Sequence, residues 1–140
     1  MADVESAGAP LLALAPEAYV PGICNIGPAE IARRSRAGHG GVVASLVTFG
    51  AIVALAMPAP VRLLVALPAA AAASGYLQAR LRFCAGFGST GIFNFGALGQ
   101  RSRVSDPESL AKDRARSRQI SLASFAIGSA VGVVAALLPL

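Results

Sequence analysis

The sequence predicts an all-α membrane protein with three transmembrane helices, a hairpin followed by one C-terminal helix, and amphipathic segments on the cytoplasmic side. Three observations carry this reading. Between His39 and Arg80 the only formal charge is Arg62, so two apolar runs flank a turn marked by Pro58 and Pro60. From Gln119 to Leu140 there is no charge at all. Finally, 55% of the residues are hydrophobic and only 14% charged, and the charges cluster at residues 33–36, 80–82 and 101–118. A soluble amphipathic helix would instead repeat its charges every three or four positions. Each apolar run is long enough to cross most of a hydrocarbon core at about 1.5 Å per helical residue.

The net charge of +5 follows from basic residues at the edges of the apolar runs. Such residues are topology signals and contacts to anionic lipid. No aromatic-plus-basic module accompanies them, so nucleic acid is not an expected partner. The two cysteines are too few for a disulfide scaffold or a complete metal site. Asp3 and Glu5 stand in place of a basic leader region and Pro10 interrupts the nearby apolar patch. This is not the pattern of a secretory signal, and the first apolar helix is expected to act as an uncleaved insertion signal.

Residues 1–27 read as an irregular cytoplasmic arm, because Pro10, Pro16 and Pro21 prevent a long helix. Its short apolar pieces, residues 11–14 and Tyr19-Val20, either dock on a partner or remain part of a loose terminus. Residues 28–82 form an interfacial helix and the hairpin. A helix starts at Gly27-Pro28-Ala29-Glu30, since proline at the first helical position lacks only an N–H with no intrahelical partner. Gly38, Gly40 and Gly41 then supply a bend into the membrane. The two hairpin helices are expected at about residues 41–57 and 63–79, with Arg62 snorkelling to the far headgroups and Pro68 kinking the second. The alanines at 69–73 permit close helix approach.

Residues 83–118 read as a cytoplasmic Gly/Phe-rich loop and a basic helix. Five glycines between Phe83 and Gln100 each disfavour a helix by about 1 kcal/mol relative to alanine. Ser105 and Glu108 have the spacing of a capping box, with Pro107 in the first turn. Residues 119–140 form the third span. Ser124, Gly128, Gly132 and Ala136 recur every four residues along it, a helix-packing stripe that meets the hairpin, a second copy or another subunit.

Orientation follows from the basic residues. All twelve except Arg62 precede the first span or lie between the second and third. Arg33, Arg34, Arg36, Arg80, Arg82, Arg101, Arg103, Arg114, Arg116 and Arg118 are therefore assigned to lipid headgroups or topology. The expected location is a bacterial-type inner membrane with the N-terminus cytoplasmic and the C-terminus outside.

Two short segments look alike, residues 22–27 (Gly-Ile-Cys-Asn-Ile-Gly) and 91–96 (Gly-Ile-Phe-Asn-Phe-Gly). Asn25 and Asn94 either bond each other's loop, a lipid headgroup, or their own turns through Asx-type bonds. Cys24 and Cys84 fall on the same expected side. They are either a thiol site, serving redox, persulfide or metal chemistry, or two small buried side chains. No cofactor is expected. No ionisable residue lies in the middle of a span, as a proton or ion pathway would require, and no catalytic set is visible.

Asn25-Ile26-Gly27, the acid Glu30, Arg34, the glycines, the apolar hairpin, Phe83-Cys84 and Gly91-Ile92 together resemble the small two-helix inner-membrane domain found alone in bacteria or fused to rhodanese sulfurtransferases. The resemblance spans residues 24–94. Ala85 stands where the family has proline after the cysteine, Phe93 displaces the asparagine to Asn94, and a third helix is added. The resemblance implies a transmembrane hairpin and a sulfur-related role for Cys84, a role that belongs in the family mainly to the rhodanese domain, of which this chain has none. The sequence as a whole points to a non-catalytic structural or accessory subunit packing against a larger membrane complex or itself. The alternative is a thiol-dependent redox or sulfur-handling membrane protein using Cys24 and Cys84.

Overall fold

The computed structural model describes residues 18–140, so the expected arm up to residue 17, with its apolar piece at 11–14, lies outside the described residues. Helix α1 (Pro28–Ala54) starts with Gly27 extended, Pro28 in the first turn and Glu30 as the first-turn acid, which suits the positive end of the helix dipole. It then runs unbroken for 27 residues, about 40 Å. The expected glycine bend is not there, and the interfacial segment and first span are one helix. Two of its glycines serve contact instead: Gly38 and Gly41 are buried, and a Cβ on Gly41 would fall 2.5 Å from the Ala72 nitrogen.

Leu55 and Ala56 end α1, with Ala56 at a positive φ of 50°, and Pro58 leads into a 3-10 segment, Ala59–Val65. Helix α2 (Ala66–Leu81) follows directly. Pro68 therefore sits in the first turn of α2, where its missing N–H does not break the middle of the helix as expected. Arg62 also departs from expectation. It is buried and donates to the carbonyl oxygens of Leu138 and Leu140 at 2.7 and 2.8 Å, tying the hairpin tip to the end of the last helix.

Arg82, left-handed at φ 53°, stops α2. The Gly/Phe-rich stretch is more ordered than a loop. It holds a six-residue helix, α3 (Ala85–Thr90), ended by Gly91 at φ 74°, and a two-residue strand, β1 (Ile92–Phe93). This strand pairs antiparallel with β2 (Ser102–Arg103), Ile92 opposite Arg103. Helix α4 (Pro107–Leu137) joins the basic segment and the third apolar run in 31 residues. Its cap is Asp106, whose carboxylate accepts from the Ser109 N–H at 2.9 Å, one residue beyond the expected Ser105.

Among the described residues, three helical stretches, Pro28–Ala54, Ala59–Leu81 and Pro107–Leu137, are long and apolar enough to cross a membrane. Helix α2 lies between the other two. It meets α1 where Gly75 faces the Gly38 nitrogen and the Arg34 carbonyl. It meets α4 where Gly128 and Gly132 lie on Ala66 and Ala70. Large apolar side chains instead point outward: Leu46, Leu67, Leu122 and Phe125 are 67–72% exposed. Small residues inside and large ones outside suit a surrounding as apolar as the side chains themselves.

Candidate functional site

Most of the buried polar residues of the described chain, Arg62 and Ser124 apart, gather at one end, where α1 and α4 begin and α2 stops. At its centre is Asn25, fully buried. Its side chain accepts from the Cys84 N–H at 2.6 Å and donates to the Cys84 carbonyl at 3.1 Å, while its own N–H donates to the Arg82 carbonyl. The turn after α2 leaves the Cys84 N–H without a helical partner, and a buried primary amide supplies one while adding a second donor to the Cys84 carbonyl, which also accepts from the Gly88 N–H at 2.9 Å.

The two look-alike segments meet here. Asn94 N–H donates to the Asn25 carbonyl at 3.0 Å and Gly27 N–H to the Asn94 carbonyl at 2.8 Å, a parallel bridge centred on Ile26 and Asn94. The asparagine side chains nonetheless act differently. Asn94 closes its own turn, accepting from Gly96 N–H and donating to the Ala97 carbonyl, both at 2.9 Å. Gly27 is required by this approach, since a Cβ on it would sit 2.8 Å from the Phe95 backbone.

Cys84 caps α3, its sulfur accepting from the Phe87 N–H at 3.4 Å. The Arg34 guanidinium donates to the same sulfur at 2.9 Å and lies over the Phe87 ring, 5.9 Å from its centroid, with Arg101 at 5.8 Å. Arg34 also approaches the buried Glu30, whose Oε2 is 3.6 Å from it and 3.8 Å from Arg33. A chain of contacts thus runs from Glu30 through Arg34 and Cys84 to Asn25. Cys24 is a separate matter. It is buried and unoxidised, its thiol bonds the Ile26 carbonyl, and burial pushes its pKa up. Burial of this kind disfavours the thiolate form on which nucleophilic reactivity depends.

Three further residues complete the polar end, of which only Asp113 is not singled out by the sequence: Tyr19 reads there as part of an apolar piece and Gln78 as an interfacial amide at the end of the second span. Asp113 is fully buried, accepting from the Tyr19 hydroxyl and the Gly22 N–H, each at 2.7 Å. Tyr19 stacks on Phe93 at 4.9 Å, and burial, followed by the bond to Asp113, pushes its hydroxyl pKa well up. Tyr19-Val20 therefore docks within the chain. Gln78 accepts from Ala85 N–H and donates to Ser74, linking the end of α2 to α3. A signal for Asp113 was present: it is the only acid between Lys112 and Arg118, and it stands four residues before Ser117 on the stripe that continues to Ser124.

The remaining sequence-predicted residues are distributed as follows. Arg33, Arg36, Arg80, Arg101, Arg103, Arg114 and Arg118 are exposed around this same end. Arg34, Arg82 and Arg116 are half-buried, with Arg116 donating to Gln119. On the stripe, Ser124 bonds the Ile120 carbonyl, and Gly128 and Gly132 face α2. The last buried position is Ala135 and not Ala136. Four-residue steps turn a helix by about 400°, so three of them drift roughly 120° off the face, whereas eleven residues return to within about 20°.

Comparison with family models, curated proteins and solved structures finds no match to this chain. The fold itself defines a class: a mostly helical chain with, among the described residues, three apolar helices that indicate a membrane location.

Proposed function

We propose that this chain is a non-catalytic integral membrane protein, a structural or accessory subunit that packs against a larger membrane complex or a second copy of itself. The observation that carries the reading is a shallow groove of about 300 Å³ on the bundle's flank. Its floor is Ala69, Ala72 and Ala73 of α2, and its walls are Val42 and Leu46 of α1 and Ile127 and Val131 of α4. Small residues cover α2 on two sides by close contact with α1 and α4, and this third side offers the same small-residue surface to one more helix. The basic end would face the cytoplasm of a bacterial-type inner membrane, with the C-terminus outside and membrane lipid around the outward leucines. The test is gentle purification from native membranes with identification of co-purifying chains, repeated with Ala73→Phe. A defined partner or a homo-oligomer lost on filling the groove supports the reading. Recovery of a monomer from the native chain overturns it.

One observation favours a second reading, thiol-dependent redox or sulfur chemistry: the Arg34 donor 2.9 Å from Cys84 Sγ. Cys84→Ser and Cys24→Ser, separately and together, decide between the two, since the accessory reading expects assembly and cellular function to survive both.

A further inference from the structure

A second and larger groove, of about 820 Å³, lies between α3 and α4. It is lined by Ala85, Gly86 and Ser89 on the α3 side and by Arg114, Ser117, Arg118, Ser121 and Leu122 on the α4 side. The volume falls within the range of roughly 300–1,000 Å³ typical of small-molecule sites. The lining contains two arginines, three serines and no acid. Arg114 and Arg118 stand one helical turn apart on one face, both exposed, and make no ion pair or hydrogen bond among the described residues. The nearby acids are engaged elsewhere: Asp113 is buried on Tyr19 and Gly22, and Glu108 is paired with Lys112 at 2.8 Å.

The position of this groove along α4 matters as much as its charge. It sits where the basic segment gives way to the apolar one, and Leu122 at its edge and Phe125 directly beyond it are 69% and 70% exposed. We infer that the groove binds the headgroup of an anionic phospholipid, with Arg114 and Arg118 on the phosphate and the acyl chains lying along Leu122 and Phe125. Two guanidiniums offer forked donors to phosphate oxygens, and the hydroxyl of Ser121 adds a neutral one, while that of Ser89 already donates to the Gly86 carbonyl. A free phosphate satisfies only the polar half of such a site. An acylated one satisfies both, because its chains cover side chains that are otherwise bare. Small residues at Ala85 and Gly86 keep the α3 wall low enough to admit it.

This inference rests on the membrane reading, and the two are tested in sequence. Alkaline carbonate extraction comes first: release of the chain into the soluble fraction sinks the membrane reading and the lipid site together. The retained, detergent-purified chain is then titrated by native mass spectrometry with phosphatidylglycerol and phosphatidylcholine of matched acyl chains. Arg114→Gln with Arg118→Gln is expected to weaken phosphatidylglycerol binding about thirtyfold, from roughly fivefold for each basic residue at an anionic surface. The control, Arg33→Gln with Arg36→Gln, removes two exposed charges outside the groove and should change it less than about twofold. Equal binding of the two lipids by the native chain, or equal loss in both double variants, overturns the site. Displacement of the lipid by millimolar inorganic phosphate does so as well, since it would mean a phosphate site indifferent to acyl chains. Circular dichroism of each variant guards against loss of fold, and a Ser121→Phe variant, filling the groove with both arginines intact, should weaken binding just as the arginine pair does.

Discussion

The two halves of this molecule are held together in different ways. At the polar end, segments far apart in sequence are joined by specific hydrogen bonds: Asn25 to Cys84, Gly27 to Asn94, and Tyr19 and Gly22 to Asp113. Along the bundle the contacts are backbone against small side chain, Gly41 on Ala72, Gly75 on Gly38, Gly128 on Ala70. The cause is the backbone. Irregular segments at the polar end leave N–H and C=O groups that burial would orphan, so they need named partners. The helices satisfy their own backbones and need only close approach, which glycine and alanine permit.

This contrast predicts where substitutions bite. The largest effect is expected at Asn25→Ala, which orphans the buried Cys84 N–H and leaves the Cys84 carbonyl with the Gly88 N–H alone, a loss of about 2 kcal/mol at roughly 1–3 per orphaned buried group. Unfolding in mixed micelles and amide exchange at Cys84 measure it, and native-like protection there would show that the amide is dispensable. Next come the glycines, which should respond according to contact and not to helix position. Gly75→Ala puts a Cβ 2.5 Å from the Gly38 nitrogen and should cost about 2 kcal/mol through overpacking. Gly40→Ala meets nothing within 4 Å. It should leave stability unchanged or raise it by up to about 1 kcal/mol through helix propensity. Similar responses from the two would remove close approach as the basis of the α1–α2 contact.

The smallest effect concerns the start of α4. The Ser109 hydroxyl and N–H hold the Asp106 carboxyl below its usual range. A depressed folded-state pKa means that the cap contributes above the unfolded carboxylate's pKa and is lost as pH falls through the lower, folded value. The protection of the Ser109 amide, measured relative to its intrinsic exchange rate at each pH, should therefore fall on acidification in the native chain, and Asp106→Asn should flatten that pH dependence. An unaltered profile in the variant would place the titrating group elsewhere.

How far these features were legible depended on their range. The three long helices could be read from charge spacing alone, as could the importance of Gly128 and Gly132, because both are local patterns along one helix. The continuity of α1 through Gly38, Gly40 and Gly41 was not legible. Glycine propensity favours a break there, and the helix persists because Ala72 and Gly75 of another element lie against it. The resemblance of segments 22–27 and 91–96 was visible, but their pairing was not, nor was the division of labour in which Asn25 reaches Cys84 while Asn94 closes a turn.

Charge distribution, the proline-marked turn and the four-residue glycine spacing determined without any structure that this chain has three apolar helices and a single basic end. These are properties of consecutive residues, and their physical basis, hydropathy and helical period, needs no neighbour. Tertiary structure alone decided what buries Asn25 and Asp113, which of the arginines reaches Cys84, and that Arg62 ends on the carbonyls of Leu138 and Leu140. Each of those outcomes is a match between a polar group and a partner dozens of residues away. Only folding brings the two within hydrogen-bond reach, and the residue types alone permit many such matches.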